Sequence, residues 1–382
     1  MKITKKISRF INRIMPVKLM LFLRSVMSYI VYPMNKFGLT PKSISIKKKI
    51  VRNIELASDF KVALSQMANT KPSQASYFID SYKAKSVETI RMSKFISSYE
   101  GEYPILLCYV KNDLIRIKAH IDYYRRIGIK YFAYVDNMST DGTFEFLNNQ
   151  EDVSLFRTNE QYMLTAKGGI GGIIGRSWLR QISDIMGYDK WYLNVDADEF
   201  FIYPGIENKP INKYVNFLER NNIESAFAPM LDMYPRERLF IGSSGNDGFM
   251  KDYCYFDTDT YIIQTVKTHR WVRGGPRRRL SKHFGGLSKY PLNKLSKDKV
   301  LGVHLNYPIK TNFECAFPIG FLLHYKIMDY SLYNETNIMQ VEKKSNIESC
   351  YYNGSKKLNS SMDLMNVNII DKSFFDKFLS DI

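Results

Sequence analysis

Residues 191–201 constrain this chain more than any other stretch. They read Trp191-Tyr192-Leu193-Asn194-Val195-Asp196-Ala197-Asp198-Glu199-Phe200-Phe201, an apolar run that empties into three carboxylates and then into two aromatics. A strand buried on both faces requires such a short apolar run, and polar residues at its carboxyl end stand where open α/β sheets bind ligands. Two Asp side chains one residue apart repel each other unless a cation lies between them. A hard divalent ion that also grips phosphates meets that need. An isolated Asp-x-Asp more often caps the next segment, so the flanking sequence has to decide.

That flanking sequence alternates strand and helix patterns. Residues 105–110 form a compact apolar strand behind Pro104, ending in Lys111-Asn112-Asp113. Leu114, Ile117, Ile121 and Tyr124 then mark the buried face of a helix, which Gly128 stops. The next strand, 131–135, leads into Asp136-Asn137-Met138-Ser139-Thr140-Asp141-Gly142-Thr143, whose short polar side chains suit either ligand binding or helix capping. A third strand is expected at 153–156. A helix follows at about 176–186, apolar at Trp178, Leu179, Ile182 and Ile185. This alternation predicts an α/β fold with a mostly parallel central sheet, flanking helices and right-handed crossovers. In a parallel sheet the clusters at 112–113, 136–141 and 196–199 share one edge.

Composition separates the two ends of the chain. The formal net charge is +17, but residues 1–54 hold 13 Lys or Arg and no Asp or Glu, leaving +4 for the remainder. Charge confined to one end argues against a nucleic-acid partner, which would need basic residues spread over the face that tracks the phosphates. Ile7, Phe10, Ile11 and Ile14 recur at helical spacing with Lys5, Lys6, Arg9 and Arg13 on the other face. The apolar segment beyond Pro16 is interrupted by Lys18 and Arg24, and its longest uncharged run is too short for the roughly 20 residues a bilayer demands. Residues 1–54 are therefore expected to lie on an anionic membrane surface, with Lys42, Lys47, Lys48, Lys49 and Arg52 adding attraction. The alternative is a basic tail docked on its own domain. Cys108, Cys254, Cys315 and Cys350 form no Cys-x-x-Cys pair and read as reduced thiols. Together these features place the protein in the cytoplasm, peripheral on the inner face of the membrane. The expected layout is a basic segment at 1–54, a helical extension at 55–102, an α/β domain at 103–330 and a helical tail at 331–382.

The three strand-end motifs, in this order, resemble family 2 nucleotide-sugar glycosyltransferases of the GT-A fold. The closest likeness is the bacterial subgroup whose metal motif continues as Asp-Glu-Phe, here Asp198-Glu199-Phe200. The resemblance is strong over residues 103–204, weaker to about 330 and absent elsewhere. It implies a single GT-A-like domain that moves a sugar from a nucleoside diphosphate to a surface glycan or lipid-linked acceptor, with inversion. Asn112, Asp113, Asp136, Asn137, Asp141 and Asp196 would form the donor pocket. Asp198 would hold Mn²⁺ or Mg²⁺, Asp196 would face the ribose or reach that metal through water, and Glu199 would support the ligands from behind them.

Such enzymes often recruit a late His to the metal. His324, on the apolar run Phe321-Leu322-Leu323-His324, is the first candidate, His304 the second, and His269 and His283 are also present. A lone His on an apolar run is equally a satisfied core residue. An inverting transfer needs a carboxylate base, for which Asp232 is the candidate, with a turn-forming role before Pro235 as the alternative. Arg277, Arg279 and Lys289 are candidates for phosphate or acceptor contact, or for a solvated basic loop. The run Gly168-Gly169-Ile170-Gly171-Gly172 matches neither phosphate-loop nor dinucleotide spacing and reads as a connector or a lid. Two rival functions remain. Nucleotidyl transfer would want a glycine-rich loop where Lys111-Asn112-Asp113 stands, and the other rival is a membrane-surface binding protein without catalysis.

Overall fold

A computed structural model describes residues 26, 41–52, 56, 58–70, 72–99, 101–165, 171–173, 175–235, 248–266, 269–276, 286–302, 304–308, 320–325, 355–367, 369 and 372–380. The basic stretch at 5–14, most of the glycine run, Arg277, Arg279, His283 and residues 326–354 lie outside that description.

From residue 41 onward, the described residues begin with three helices: α1 (Pro41–Arg52), α2 (Ser58–Thr70) and α3 (Pro72–Ala84). A six-stranded sheet follows, built from β1 (Glu88–Arg91), β2 (Ile105–Val110), β3 (Tyr131–Asp136), β4 (Val153–Arg157), β5 (Lys190–Asn194) and a later strand, Leu292–Leu295. Its spatial order is β1, β4, β3, β2, β5 and then Leu292–Leu295. The four central strands are parallel and the two edge strands antiparallel. The protein is thus mixed α/β with a mostly parallel sheet flanked by helices. Strand β1 departs from the expected purely helical extension at 55–102. Its side chains are exposed or half-buried, so hydrophobic periodicity carried no sign of it.

Strand β2 illustrates why these residues make a doubly covered strand. All six are buried, and alternate ones serve opposite faces. Leu106, Cys108 and Val110 join a core that includes Phe132, Trp191 and Phe200, while Ile105, Leu107 and Tyr109 join one with Trp178 and Tyr192. Helix α4 (Leu114–Arg126) covers the first face and ends at Gly128, which adopts φ +97° as the left-handed cap. Helix α5 (Thr143–Asn148) is short, and α6 (Gly175–Met186) covers the second face. Register aligns Val110 with Asp136, and Leu107 with Asn194, so the three polar clusters emerge at one edge.

A second sheet, absent from the sequence-based expectation, decides the site. It orders β8 (Ser288–Lys289), β7 (Ala228–Asp232), β9 (Phe321–His324) and β6 (Glu199–Ile202) side by side. Residues 195–198 carry the chain from the first sheet into the second. Residues 290–291 carry it back, with the amide of Asn194 donating to the carbonyl of Pro291 at 2.8 Å. The two sheets therefore meet at a seam crossed twice. Tyr124 of α4 pins one side of it, its hydroxyl donating to the Glu199 carbonyl at 3.0 Å and accepting from the Phe201 amide at 2.8 Å. Beyond β6, α7 (Ile211–Arg220) packs with the C-terminal α8 (Lys372–Ser380), where Phe378 meets Tyr203, Tyr214 and Phe217 edge-on. The C-terminal region is more than a helical tail, because Ser355–Lys357 pairs with Tyr255–Asp257. On the N-terminal side of α6, Gly171–Ile173 pairs with Met163–Thr165, so the end of the glycine run belongs to a hairpin.

Tyr124→Phe removes the one group that satisfies both backbone atoms at the start of β6. A loss of about 1–3 kcal/mol in unfolding free energy is expected, read as a lowered urea midpoint at unchanged slope.

Candidate functional site

Where the parallel strands end, a cavity of about 310 Å³ opens. Asp196, Ala197 and Asp198 form its floor together with His324, and Lys111, Asp113 and Arg116 stand on one wall. Tyr109, Tyr162 and Trp178, in contact with one another, supply an aromatic part of the lining. Among the described residues, the carboxylates lining it are Asp113, Asp196 and Asp198.

The ladder of the second sheet explains why His324 is there. In the antiparallel pair β9–β6, His324 lies opposite Glu199, and in the parallel pair β9–β7 it lies beside Asp232. Three strands thus set Glu199, His324 and Asp232 abreast. The imidazole Nε2 is 3.4 Å from Asp198 Oδ2 and its Nδ1 is 2.7 Å from Asp232 Oδ1. Burial alone would lower the His324 pKa, but the carboxylates of Asp198 and Asp232 raise it above the ordinary histidine value. One ligand atom each from Asp198, Glu199 and His324 lies within 4.8 Å of the others, close enough to hold one metal ion. Asp196 Oδ1 adds a buried oxygen with no hydrogen-bond partner among the described residues.

Asp232 is therefore not placed as a base. It is fully buried, does not line the cavity, and orients His324 from behind. Lys289 likewise does not line the cavity. The residue is 5% exposed, and its ammonium inserts between Asp196, at 2.6 Å, and Glu199. Burial would lower its pKa, and those two carboxylates raise it instead. Asp196, which burial would raise, is brought down to about 2 by Lys289 and by Arg176, whose Nη2 stands 3.6 Å away. Glu199 moves the other way, pushed up by burial and by the charge of Asp196. Its Oε2 accepts from the Asp196 amide at 3.0 Å, so it braces the turn, and of the two acids it is the more enclosed.

The loops from the first two strands are stitched to each other. Asn112, at φ +50°, accepts from the Thr140 amide at 2.7 Å and donates its own amide to Ser139 at 2.9 Å. Asp136 is fully buried, takes the Ser139 amide at 3.1 Å and pairs with Arg157 at 3.3 Å. It locks its turn and does not line the cavity, whereas its neighbour Asn137 does. Asp141 caps two helices, accepting from the Thr143 amide and the Leu114 amide at 3.0 Å each. Of the two roles open to this loop, Asp141 takes the capping one. Asp113 accepts from Arg116 at 2.7 Å, and burial holds its carboxyl above the ordinary range despite that partner.

Several residues that the sequence did not single out matter here. Arg116 lies one turn into α4, 3.9 Å from Asp198, and its i,i+3 spacing from Asp113 was the available signal. Arg176, 3% exposed, donates to Asn194 at 2.7 Å while facing Asp196. Glu160 Oε2 accepts from Trp178, Ser81 and Ser86 at 2.6–2.7 Å, and the Glu160 carbonyl accepts from Asn137 at 2.9 Å. It thereby fastens the cavity wall to α3. His120 is buried beneath the turn, held neutral by a pKa that burial pushes down to about 3, with Nδ1 at 2.8 Å from the Tyr134 hydroxyl. His304 is elsewhere, at 2.9 Å from the Ser288 carbonyl. Cys108 and Cys254 are buried free thiols. Among the described residues, no helix is long and apolar enough to cross a membrane.

No protein-family model and no curated protein matches the chain. What the fold and the site define is a mixed α/β protein with a cavity at the carboxyl edge of its parallel strands and an acid-histidine cluster in the floor.

Two outcomes follow from this geometry. Lys289→Met takes the ammonium away from the buried Glu199 and leaves the half-buried Asp196 with Arg176 as its cation, and is expected to cost about 3–5 kcal/mol. Adding Glu199→Gln to the same chain recovers part of that loss, and thermal unfolding of the four combinations measures the coupling. Asp141→Ala removes a cap worth about 1 kcal/mol. Burial would raise the Asp141 pKa, but its bonds to Thr143 and Leu114 lower it below the ordinary 3.8. The stabilisation is therefore present above about pH 4, and the gap between wild type and variant closes as pH falls through the lowered folded value.

Proposed function

We propose that the protein is a metal-dependent glycosyltransferase that moves a sugar from a nucleoside diphosphate onto a glycan or lipid-linked acceptor. The observation that carries this reading is the convergence of Asp198, from the seam turn, and His324, from a strand more than a hundred residues later, in the cavity where the parallel strands end. In this reading Asp136 and Asp141 leave the donor roles that the resemblance implied, and Asp232 and Lys289 the base and acceptor roles for which the sequence offered them, because each is engaged in holding the protein together. Asn137, Asp113, Arg116, Asp196 and Asp198 remain at the cavity.

The residues present suit a divalent cation. Asp196 Oδ1 lacks a hydrogen-bond partner, the Asp198 carboxylate and His324 Nε2 face each other, and Asp232 lies behind Nδ1. Carboxylate oxygens suit Mn²⁺ and Mg²⁺, and the imidazole favours Mn²⁺ of the two. When bound, such an ion neutralises the charge that develops on a departing diphosphate. With an ion bound, Asp232 at Nδ1 would hold the remaining ring hydrogen and leave Nε2 to face the ion. Arg116 and Lys111 supply cations on the wall where a diphosphate would lie. Tyr109, Tyr162 and Trp178 offer flat apolar surface that excludes water.

Release of nucleoside diphosphate from a panel of UDP-, GDP- and dTDP-sugars with Mn²⁺ tests the reading. Turnover on at least one donor is expected, with a drop of about 100-fold or more in Asp198→Ala. Asp232→Asn is expected to raise the Mn²⁺ concentration needed for half activity by about 10–100-fold while the rate at saturating Mn²⁺ is largely kept. Pyrophosphate release from nucleoside triphosphates would instead indicate nucleotidyl transfer. No metal-dependent turnover on any donor would leave a non-catalytic binding protein.

A further inference from the structure

Helix α1 has two opposed faces. Ile46 and Ile50 are 6% and 0% exposed, on the side that packs against α2 and α3. Ile44, Lys47, Lys48, Val51 and Arg52 recur at spacings of three and four and share the other side. There Ile44 is 40% and Val51 67% exposed, and Lys48 and Arg52 are exposed beside them. The helix contains no Asp or Glu. Lys49, at the flank, is spoken for by Asp80 of α3.

We propose that this outward face of α1 is a docking surface for an anionic lipid bilayer. The two aliphatic side chains enter the boundary between headgroups and acyl chains, and the cations beside them meet lipid phosphates. Charge complementarity selects the occupant, since residues 1–54 of the sequence, which include α1, hold 13 cations and no anion. Nucleic acid fits less well, because Val51 and Ile44 occupy the centre of the face and would lie against phosphates with nothing to offer them. The bilayer also gains orientation from the fold. Helix α3, on which α1 packs, is held by Ser81 through Glu160 to Trp178 in the cavity wall. Docking α1 would therefore hold the cavity in a set relation to the membrane. The inference rests on α1 alone and does not need the transfer chemistry.

The full-length chain with Val51→Trp and Trp271→Phe provides a local probe, since Trp178 and Trp191 are buried and the half-buried Trp271 is removed. Vesicles of phosphatidylcholine and phosphatidylglycerol should shift its emission to the blue, and brominated acyl chains should quench it, with little change on phosphatidylcholine alone. Removing both Lys48 and Arg52, each to Ala, should weaken partition about fivefold per charge, and Val51→Asp should weaken it further. Co-sedimentation with emission from Val51→Trp unchanged would overturn the proposal, because residues before α1 would then carry the binding. Displacement of the vesicles by RNA, with Val51→Asp without effect, would overturn it in favour of a nucleic-acid surface.

Discussion

One ammonium group gathers the acids at the seam between the two sheets. Lys289 is the last residue of β8, next to the point where the chain returns to the first sheet, and it reaches Asp196 and Glu199 at the point where the chain leaves that sheet. Two carboxylates this close, one of them almost fully enclosed, would drive the turn apart without a counter-charge. With Lys289 between them, the turn can present Asp198 to the cavity while Glu199 stays behind it. The backbone adds its own restraint, for the Tyr325 amide donates to the Asp198 carbonyl at 2.8 Å. Strand β9 is thereby tied to the same turn that supplies the carboxylates. An ion-pair cluster is poor evidence of net stability, but here it specifies which of several neighbouring acids faces the cavity.

The parts legible in the sequence were those set by local pattern. Residues 105–110 and 131–136 announce themselves as doubly buried strands because each is an unbroken apolar run bounded by turn residues, and both appear with nearly the expected ends. Parallel pairing then puts the polar strand ends at one edge with no further information. The roles within the edge were not legible. A strand-terminal Asp before Asn137, Met138 and Ser139 satisfies the requirements of a ligand contact and of a turn lock equally well. Only the Ser139 amide at 3.1 Å and Arg157 at 3.3 Å distinguish the two for Asp136.

Distance along the chain hid the rest. Lys289 lies 93 residues from Asp196, and Asp232 lies 92 from His324. No periodicity or spacing rule links residues that far apart, since their meeting depends on the second sheet's strand order. His324 itself could be nominated from its apolar run, but its pairing with Asp232 could not. That pairing changes what Asp232 is, from a group available to an acceptor to a fully buried partner of an imidazole. Strand β1 escaped for a different reason: an edge strand with exposed side chains looks like a loop to any hydrophobic pattern.

The distribution of buried charge also says which elements hold the cluster. Asp196 in the link, Glu199, His324 and Asp232 are joined across β6, β9, β7 and β8 by Lys289 and by the imidazole, so each is held by a neighbour on another element. The aromatic wall is tied differently, through Glu160 to the serines at the end of α3 and just beyond it. Gly175 sits against Tyr109 and Tyr162, where a side-chain carbon would lie 3.0 Å from each ring, so the start of α6 and the wall are close-packed as well. The aromatic lining is thus fastened to the N-terminal helical layer through Trp178 and to the first sheet through Tyr109 of β2, while the acids are fastened to the second sheet.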